Sequence, residues 1–120
     1  MIRFSRFVIA VHDLEASARY YKDVLGFEVH EMGDPGWRFY AKDSCSIMAG
    51  ACPDAIAPRD LGDHSYFAYL EVEDVVGYHL ELTARGAELC KPLQREPWGM
   101  QEFGVRTIDG HRIMFGEPIA

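Results

Sequence analysis

The stretch FVIAVHDLEASARYYKDVLGFEV, residues 7–29, decides the fold of this chain. Its first five residues are apolar and lie on alternating sides of a predicted β-strand, so Ile9 and Val11 share one face. Asp13 follows at a position suited to a helix N-cap, and Gly26 can adopt the left-handed conformation that ends a helix. The stretch therefore predicts a strand, a capped helix and the start of a second strand.

The same order of features recurs in the second half of the chain. The Val-x-Asp sequence at 11–13 returns at 72–74, 61 residues later, and Gly86 matches Gly26. An internal repeat of this length indicates one structural unit used twice. Each predicted helix carries one apolar stripe, formed by Leu14, Ala18, Tyr21 and Leu25 in the first unit and by Val76, Leu80, Thr83 and Ala84 in the second.

Three strand-like runs follow each helix and complete the pattern βαβββ–βαβββ. They are Phe27 to His30, Trp37 to Ala41 and Cys45 to Ala49, then Glu88 to Cys90, Met100 to Arg106 and Arg112 to Gly116. This order predicts a single α+β domain, with module one at about 1–52, a linker at about 53–63 and module two at about 64–120. Each helix covers one sheet face, so we expect a cup-shaped, largely antiparallel mixed sheet with the helices on its outside.

Composition excludes several classes of function. The net charge of -7 and the scattered basic residues argue against a nucleic-acid partner. No apolar run approaches the roughly 20 residues that span a bilayer, and the amino terminus does not have the pattern of a secretory signal. Three cysteines without a CxxC spacing suit free thiols in a reducing compartment. We therefore expect a cytoplasmic protein with no membrane partner.

With these features in place, the chain resembles the vicinal-oxygen-chelate superfamily of glyoxalases, bleomycin-resistance proteins and dioxygenases. The resemblance rests on residues 7–29 and on the closing stretch PWGMQEFGVRTIDGHRIMFGE, residues 97–117, which is similar to the bleomycin-resistance branch. It implies a homodimer with ligand-binding cups at the subunit interface. It also implies that, in the metal-dependent members, four side chains hold the ion, one on the first and one on the last strand of each module.

The four positions that match those metal ligands hold Arg6, Met48, Phe67 and Met114. A guanidinium keeps its proton and a phenyl ring has no lone pair, while a thioether suits soft ions rather than the ions usual in this superfamily. The sequence thus predicts no metal and no other cofactor. We expect these four side chains to converge in one shared hollow, where ordinary chelation cannot occur.

A cup with this lining favours binding and sequestration of a small aromatic or hydrophobic molecule, as in drug- and antibiotic-resistance proteins. Trp98 and Trp37 match aromatic binding positions of the bleomycin-resistance branch. The predicted ligand-binding residues are Arg6, Trp37, Phe39, Met48, Phe67, Tyr69, Glu71, Trp98, Arg112 and Met114.

Structural explanations of these residues stay open. Trp37 and Phe39 could serve core or dimer packing, and the two methionines could fill the core. Arg6 could form an ion pair with Glu71, or bind an anionic group of the ligand.

The alternative is an enzyme of the same fold, a glyoxalase-type lyase or a dioxygenase. It would use Glu71 or Glu102 as a general base, or a relocated metal site at His64 and Glu117. A pure interaction module explains the mixed polar and apolar lining less well.

Overall fold

A computed structural model describes residues 1, 3–64 and 66–120, without the side chains of residues 63 and 64. Module one contains β1 (Phe7–Val11), α1 (Leu14–Asp23), β2 (Glu28–Glu31), β3 (Trp37–Lys42) and β4 (Cys45–Ala51). A 3-10 helical segment, Pro58–His64, precedes module two. Module two contains β5 (Tyr66–Glu71), α2 (Val75–Ala84), β6 (Glu88–Arg95), β7 (Met100–Arg106) and β8 (Arg112–Pro118).

Each module forms its own four-stranded sheet. The strand orders are β1-β4-β3-β2 and β5-β8-β7-β6. In both sheets the first strand runs parallel to the last strand of its module, and the other pairs are antiparallel. The predicted α+β fold of two βαβββ modules is confirmed.

The helix boundaries follow the predicted capping residues. The Asp13 carboxylate accepts a hydrogen bond of 3.0 Å from the Ala16 amide, and Asp74 accepts one of 3.1 Å from Gly77. Gly26 and Gly86 have φ values of 76° and 93°, the left-handed conformation that ends a helix without Cβ strain.

The predicted apolar stripe of α2 is wrong. Val76 and Leu80 are 44% and 63% exposed, whereas Val75 and Leu82 are fully buried. Apolar residues occur around most of the circumference of α2, so their spacing alone did not define the buried side. In α1 the stripe prediction succeeds, because Leu14 and Tyr21 are buried among polar neighbours.

Strand β6 is longer than predicted. The sequence indicated an end at Cys90, but the strand continues to Arg95 with register shifts on either side of Lys91. Pro92 lies inside it and cannot donate a ladder hydrogen bond. Because β6 is an edge strand, one of its sides needs no partner, and the proline is tolerated there.

The two helices lie between the two sheets. α1 packs on its own sheet, mainly on β2 and β3, and also reaches module two: Ser17 donates a hydrogen bond of 2.8 Å to Asp109. Tyr78 of α2 donates one of 3.2 Å to the carbonyl of Leu25 in module one. One hydrophobic core therefore includes the helix-bearing sides of both sheets.

The other side of each sheet carries no helix, and we call these the outer face of module one and the outer face of module two. Both outer faces therefore lie on the sides of their sheets away from the shared core. Neither helix of the described residues has the length and apolar character needed to cross a membrane.

Candidate functional site

The outer face of module one is apolar and aromatic. Strand register places Val8 and Phe39 on either side of Met48, and Trp37 beside Gly50. Side chains alternate across a strand, so all of these share the helix-free side. Val8 is 64% exposed, which shows that this side is open to solvent in a single chain.

Trp37 lies flat against the backbone of β4. A Cβ added to Gly50 would lie 2.8 to 3.0 Å from three atoms of the Trp37 ring, which is closer than side chains normally approach. Glycine is thus required at this position for the ring to lie on the sheet. The indole is held as part of the outer face.

Arg6 lies on this outer face against two aromatic rings. Its guanidinium carbon is 4.6 Å from the centroid of the Phe4 ring and 4.9 Å from that of Phe39. The described residues contain no ion pair between Arg6 and Glu71, so that alternative is wrong for the single chain.

The outer face of module two contains a network of polar side chains. Tyr69 is opposite Met114, Glu102 is opposite Gly116, and Lys91 and Met114 flank Gly104. The same alternation places these side chains together on the helix-free side of the second sheet. Tyr69, Glu102 and Met114 were predicted as site or alternative site residues, and the structure brings them together.

Glu102 is the centre of this network and is only 3% exposed. It accepts hydrogen bonds of 2.5 Å from the Tyr69 hydroxyl and 2.7 Å from the Lys91 ammonium. Burial acts to raise the pKa of Glu102, but the hydrogen bonds from Lys91 and Tyr69 outweigh it and leave the pKa below its usual value. An ionised carboxylate with these donors is a poor general base.

Tyr69 lies over a glycine as Trp37 does. A Cβ added to Gly116 would overlap with the Tyr69 hydroxyl oxygen. Burial and the neighbouring Glu102 raise the pKa of Tyr69. The hydroxyl therefore stays protonated and serves as a hydrogen-bond donor.

Trp98 lies beside the same network, in the turn between β6 and β7. The Lys91 ammonium is 5.3 Å from the centroid of its ring and 3.1 Å from Glu96. The indole is nevertheless 62% exposed. A large aromatic surface is thus held next to a fixed cation and remains open to a ligand.

Phe67 does not share the outer face with Tyr69. A register shift in β5 between Tyr66 and Ala68 leaves Phe67 without a ladder partner. Its ring contacts those of Phe7, at 5.8 Å between centroids, and His111, at 5.5 Å. Phe67 and Tyr69 were both predicted to contact the ligand, which requires regular alternation along β5, and the bulge breaks that alternation.

Glu71 and Arg112 lie at the margins of the outer face of module two. Glu71 lines a hollow of about 790 Å³ between the modules, together with Phe7, Ser46 and Tyr78. The Arg112 guanidinium carbon is 5.5 Å from the Tyr66 ring centroid. Tyr69 lines the same hollow as Glu71.

The expectation that the four positions matching metal ligands converge in one hollow is wrong for the single chain, so they do not fit a metal ion there. Arg6 and Met48 lie on one outer face, Met114 lies on the other, and Phe67 lies in the bulge. Within the described part of the chain, no group of three or more His, Cys, Asp or Glu side chains is arranged to hold a metal ion.

Of the two residues predicted for a relocated metal site, His64 and Glu117, only Glu117 has a described side chain. The side chain of His64 lies outside the described residues, so its role stays a prediction. Glu117 accepts hydrogen bonds of 2.9 and 3.1 Å from the amides of Asp74 and Val75 at the start of α2. This carboxylate therefore stabilises a helix end.

Sequence reasoning missed Lys91, Gly50 and Gly116. The two glycines were detectable, because each follows a methionine by two residues in the last strand of its module. No comparable signal identified Lys91, since its role depends on the cross-strand distance to Glu102.

The chain thus combines a repeated βαβββ fold with two open sheet faces that carry exposed aromatic side chains. Residues 3–115 match the family model of the Glyoxalase/Bleomycin resistance protein/Dioxygenase superfamily. The chain belongs to this superfamily. A search of curated protein sequences finds no significant match.

Solved structures with the same fold are similar over nearly the whole chain. UcmS2 is 20% identical with a TM-score of 0.79, covering 97% of this chain and 98% of its own. TnmS3, an antibiotic binding protein from Streptomyces sp. CB03234, is 20% identical with a TM-score of 0.78, covering 98% and 97%. A glyoxalase-related enzyme from Clostridium phytofermentans is 16% identical with a TM-score of 0.79, covering 99% and 97%.

Proposed function

We propose that this protein binds and sequesters a small aromatic or hydrophobic molecule without using a metal ion. The observation that carries the proposal is the pair of outer faces, which hold exposed or half-exposed aromatic rings in fixed positions. Trp37 is fixed by Gly50, and Trp98 is flanked by the Lys91 ammonium. Fixed aromatic rings favour stacking with a flat ligand, because little side-chain entropy is lost on binding.

The residues at the superfamily's metal-ligand positions support the metal-independent part of the proposal. Arg6 and Phe67 have no lone pair to donate, and the thioethers of Met48 and Met114 prefer soft ions. These four side chains are therefore poor ligands for the hard and borderline ions usual in the superfamily.

A complete binding cup requires a second copy of the chain in this proposal. Each outer face lies on the side of its sheet away from the shared core, so in this proposal neither face closes over a ligand bound to the other. Pairing the outer face of module one with the outer face of module two from another copy would enclose a ligand from two sides. A two-fold symmetric homodimer forms two such cups at once.

The antibiotic binding protein TnmS3 gives a precedent for binding by a protein of this fold. The proposal concerns the chemical class of ligand that the rings of the outer faces favour.

A thermal-shift screen of aromatic natural products tests this function, because a ligand that binds only the folded state raises the unfolding temperature. We expect aromatic compounds to bind without added metal, and Trp98→Ala to weaken binding by roughly fivefold to tenfold, equivalent to about 1 kcal/mol or slightly more. Leu80→Ala is the control, since Leu80 is 63% exposed on a helix away from both outer faces.

Two results would overturn the proposal. One is a set of ligands whose affinity is the same in wild type, Trp98→Ala and Trp37→Ala. The other is binding that appears only with a divalent metal, together with a stoichiometric metal ion in elemental analysis of the purified protein.

A further inference from the structure

The chemistry around Arg6 defines one part of the ligand more closely. The guanidinium lies over the rings of Phe4 and Phe39, as described above. A planar guanidinium that stacks on aromatic rings uses its faces for this contact. Its N–H groups point outward from the edge of the plane and remain available as hydrogen-bond donors.

Arg6 has no acidic partner in the described residues, although the chain contains 19 acidic residues. Arg38, which lies on the opposite side of β3 from Phe39, shows the contrast. Its guanidinium is 2.9 Å from Glu15 and its side chain is only 12% exposed. Arg38, on the helix-bearing side, is therefore neutralised by an acidic residue, and Arg6, on the outer face, is not.

The surroundings of Arg6 on the outer face are apolar. Val8, Phe39 and Met48 lie next to one another in the strand register, and Trp37 lies further along β3. An aromatic ligand that covered this surface would remove water from around the guanidinium. A desolvated cation without a counter-charge is unfavourable, so the ligand should bring an anion to it.

We propose that the ligand is an aromatic molecule with an oxyanion, such as a carboxylate, and that Arg6 binds this group while Trp37 and Phe39 contact the ring system. The inference rests on the proposed function and narrows its ligand class. Arginine is suited to this role because its parallel N–H donors match the two oxygens of a carboxylate. The residue occupies the position where metal-dependent relatives carry a ligand to their cation.

A matched pair of probes tests the inference. Naphthalene-2-carboxylate and naphthalene-2-carboxamide have nearly the same shape and differ in charge. We expect wild-type protein to bind the carboxylate roughly tenfold more tightly than the carboxamide, in titrations followed by NMR or calorimetry. Raising the salt concentration should weaken binding of the carboxylate and leave that of the carboxamide unchanged.

Arg6→Met should weaken binding of the carboxylate roughly tenfold more than binding of the carboxamide, and so remove the preference between the two probes. Arg6→Lys should restore part of it, because an ammonium keeps the charge but lacks the paired donors. Arg19→Met is the control for net charge, since Arg19 is an exposed residue of α1 away from the outer faces.

The outcomes separate this inference from the proposed function. If both probes bind equally well, or if Arg6→Met weakens both by the same factor, the anion site is overturned and aromatic binding stands. If neither probe binds to wild-type protein, the proposed function fails together with the inference.

Discussion

The two outer faces have a common design and different chemistry. In each module an aromatic ring covers a glycine that follows a methionine by two residues, Trp37 over Gly50 and Tyr69 over Gly116. Trp37 has neighbours that are mostly apolar, whereas Tyr69 donates to Glu102 in a polar network. The network of module two thus pairs Glu102 with donors of the same chain, whereas module one leaves its aromatic surface and the Arg6 cation available for other contacts.

The largest effect should come from breaking the polar network of module two. Glu102→Ala removes a buried carboxylate and leaves Lys91 and Tyr69 without this partner. We expect the free energy of unfolding to fall by about 3 kcal/mol, the range observed when one member of a buried pair is lost. Urea denaturation measures this change.

Glu28→Gln is the matched control for Glu102→Ala. Glu28 also faces a basic partner, His30, at 3.4 Å, but its side chain is 80% exposed. This control should change stability by less than about 0.5 kcal/mol. Equal effects at the two positions would mean that the network of module two is not a stabilising feature.

Alanine substitution of the two glycines that lie under aromatic rings, Gly50 and Gly116, should lower stability by an intermediate amount and distinguish the two outer faces. Gly50→Ala pushes the Trp37 ring off the sheet, and we expect a loss of about 2 kcal/mol in stability with a red shift of tryptophan fluorescence. Gly116→Ala displaces the Tyr69 hydroxyl and should cost about 1 to 2 kcal/mol without that spectral shift. Gly33→Ala is the control, because no atom lies within 4 Å of its added Cβ. An unchanged emission spectrum in Gly50→Ala would contradict the contact.

The smallest expected effect is a sensitivity to acid that belongs to module two. His111 is 8% exposed, and burial lowers its pKa from 6.5 to about 4. The unfolded chain therefore takes up a proton at His111 between about pH 6.5 and pH 4, where the folded chain does not, so stability falls as the pH is lowered through this range. The loss between pH 6.5 and 5.5 should be about 1 kcal/mol.

His111→Gln should reduce this slope in denaturation curves recorded at several pH values. His30→Gln, at an exposed position of module one, is the control and should leave the slope unchanged. If both variants keep the wild-type slope, the acid sensitivity has another origin.

Much of the fold could be predicted because the two modules repeat the same local signals. Asp13 and Asp74 cap helices where the sequence indicated, and Gly26 and Gly86 end them. These features depend on residues close to each other in the chain.

The remaining features depend on contacts between distant residues. The packing of the helices between the sheets rests on pairs such as Ser17 and Asp109, which no local pattern connects. Phe67 left its predicted face because of a bulge in β5, and the buried side of α2 was ambiguous because that helix is apolar on most sides. The alternation of side chains predicts which side of a regular strand each residue faces. It predicts neither β-bulges nor how the two modules pack on each other.

The position of the outer faces, outside the shared core, has a consequence for how such a protein can change during evolution. Side chains such as Val8, Phe39 and Met48 can be replaced without creating cavities among the residues that fold the chain. Selection for a new ligand can therefore change the residues of one outer face while the residues of the hydrophobic core stay the same. Because the module occurs twice, the protein has two such outer faces, and each can change independently of the other.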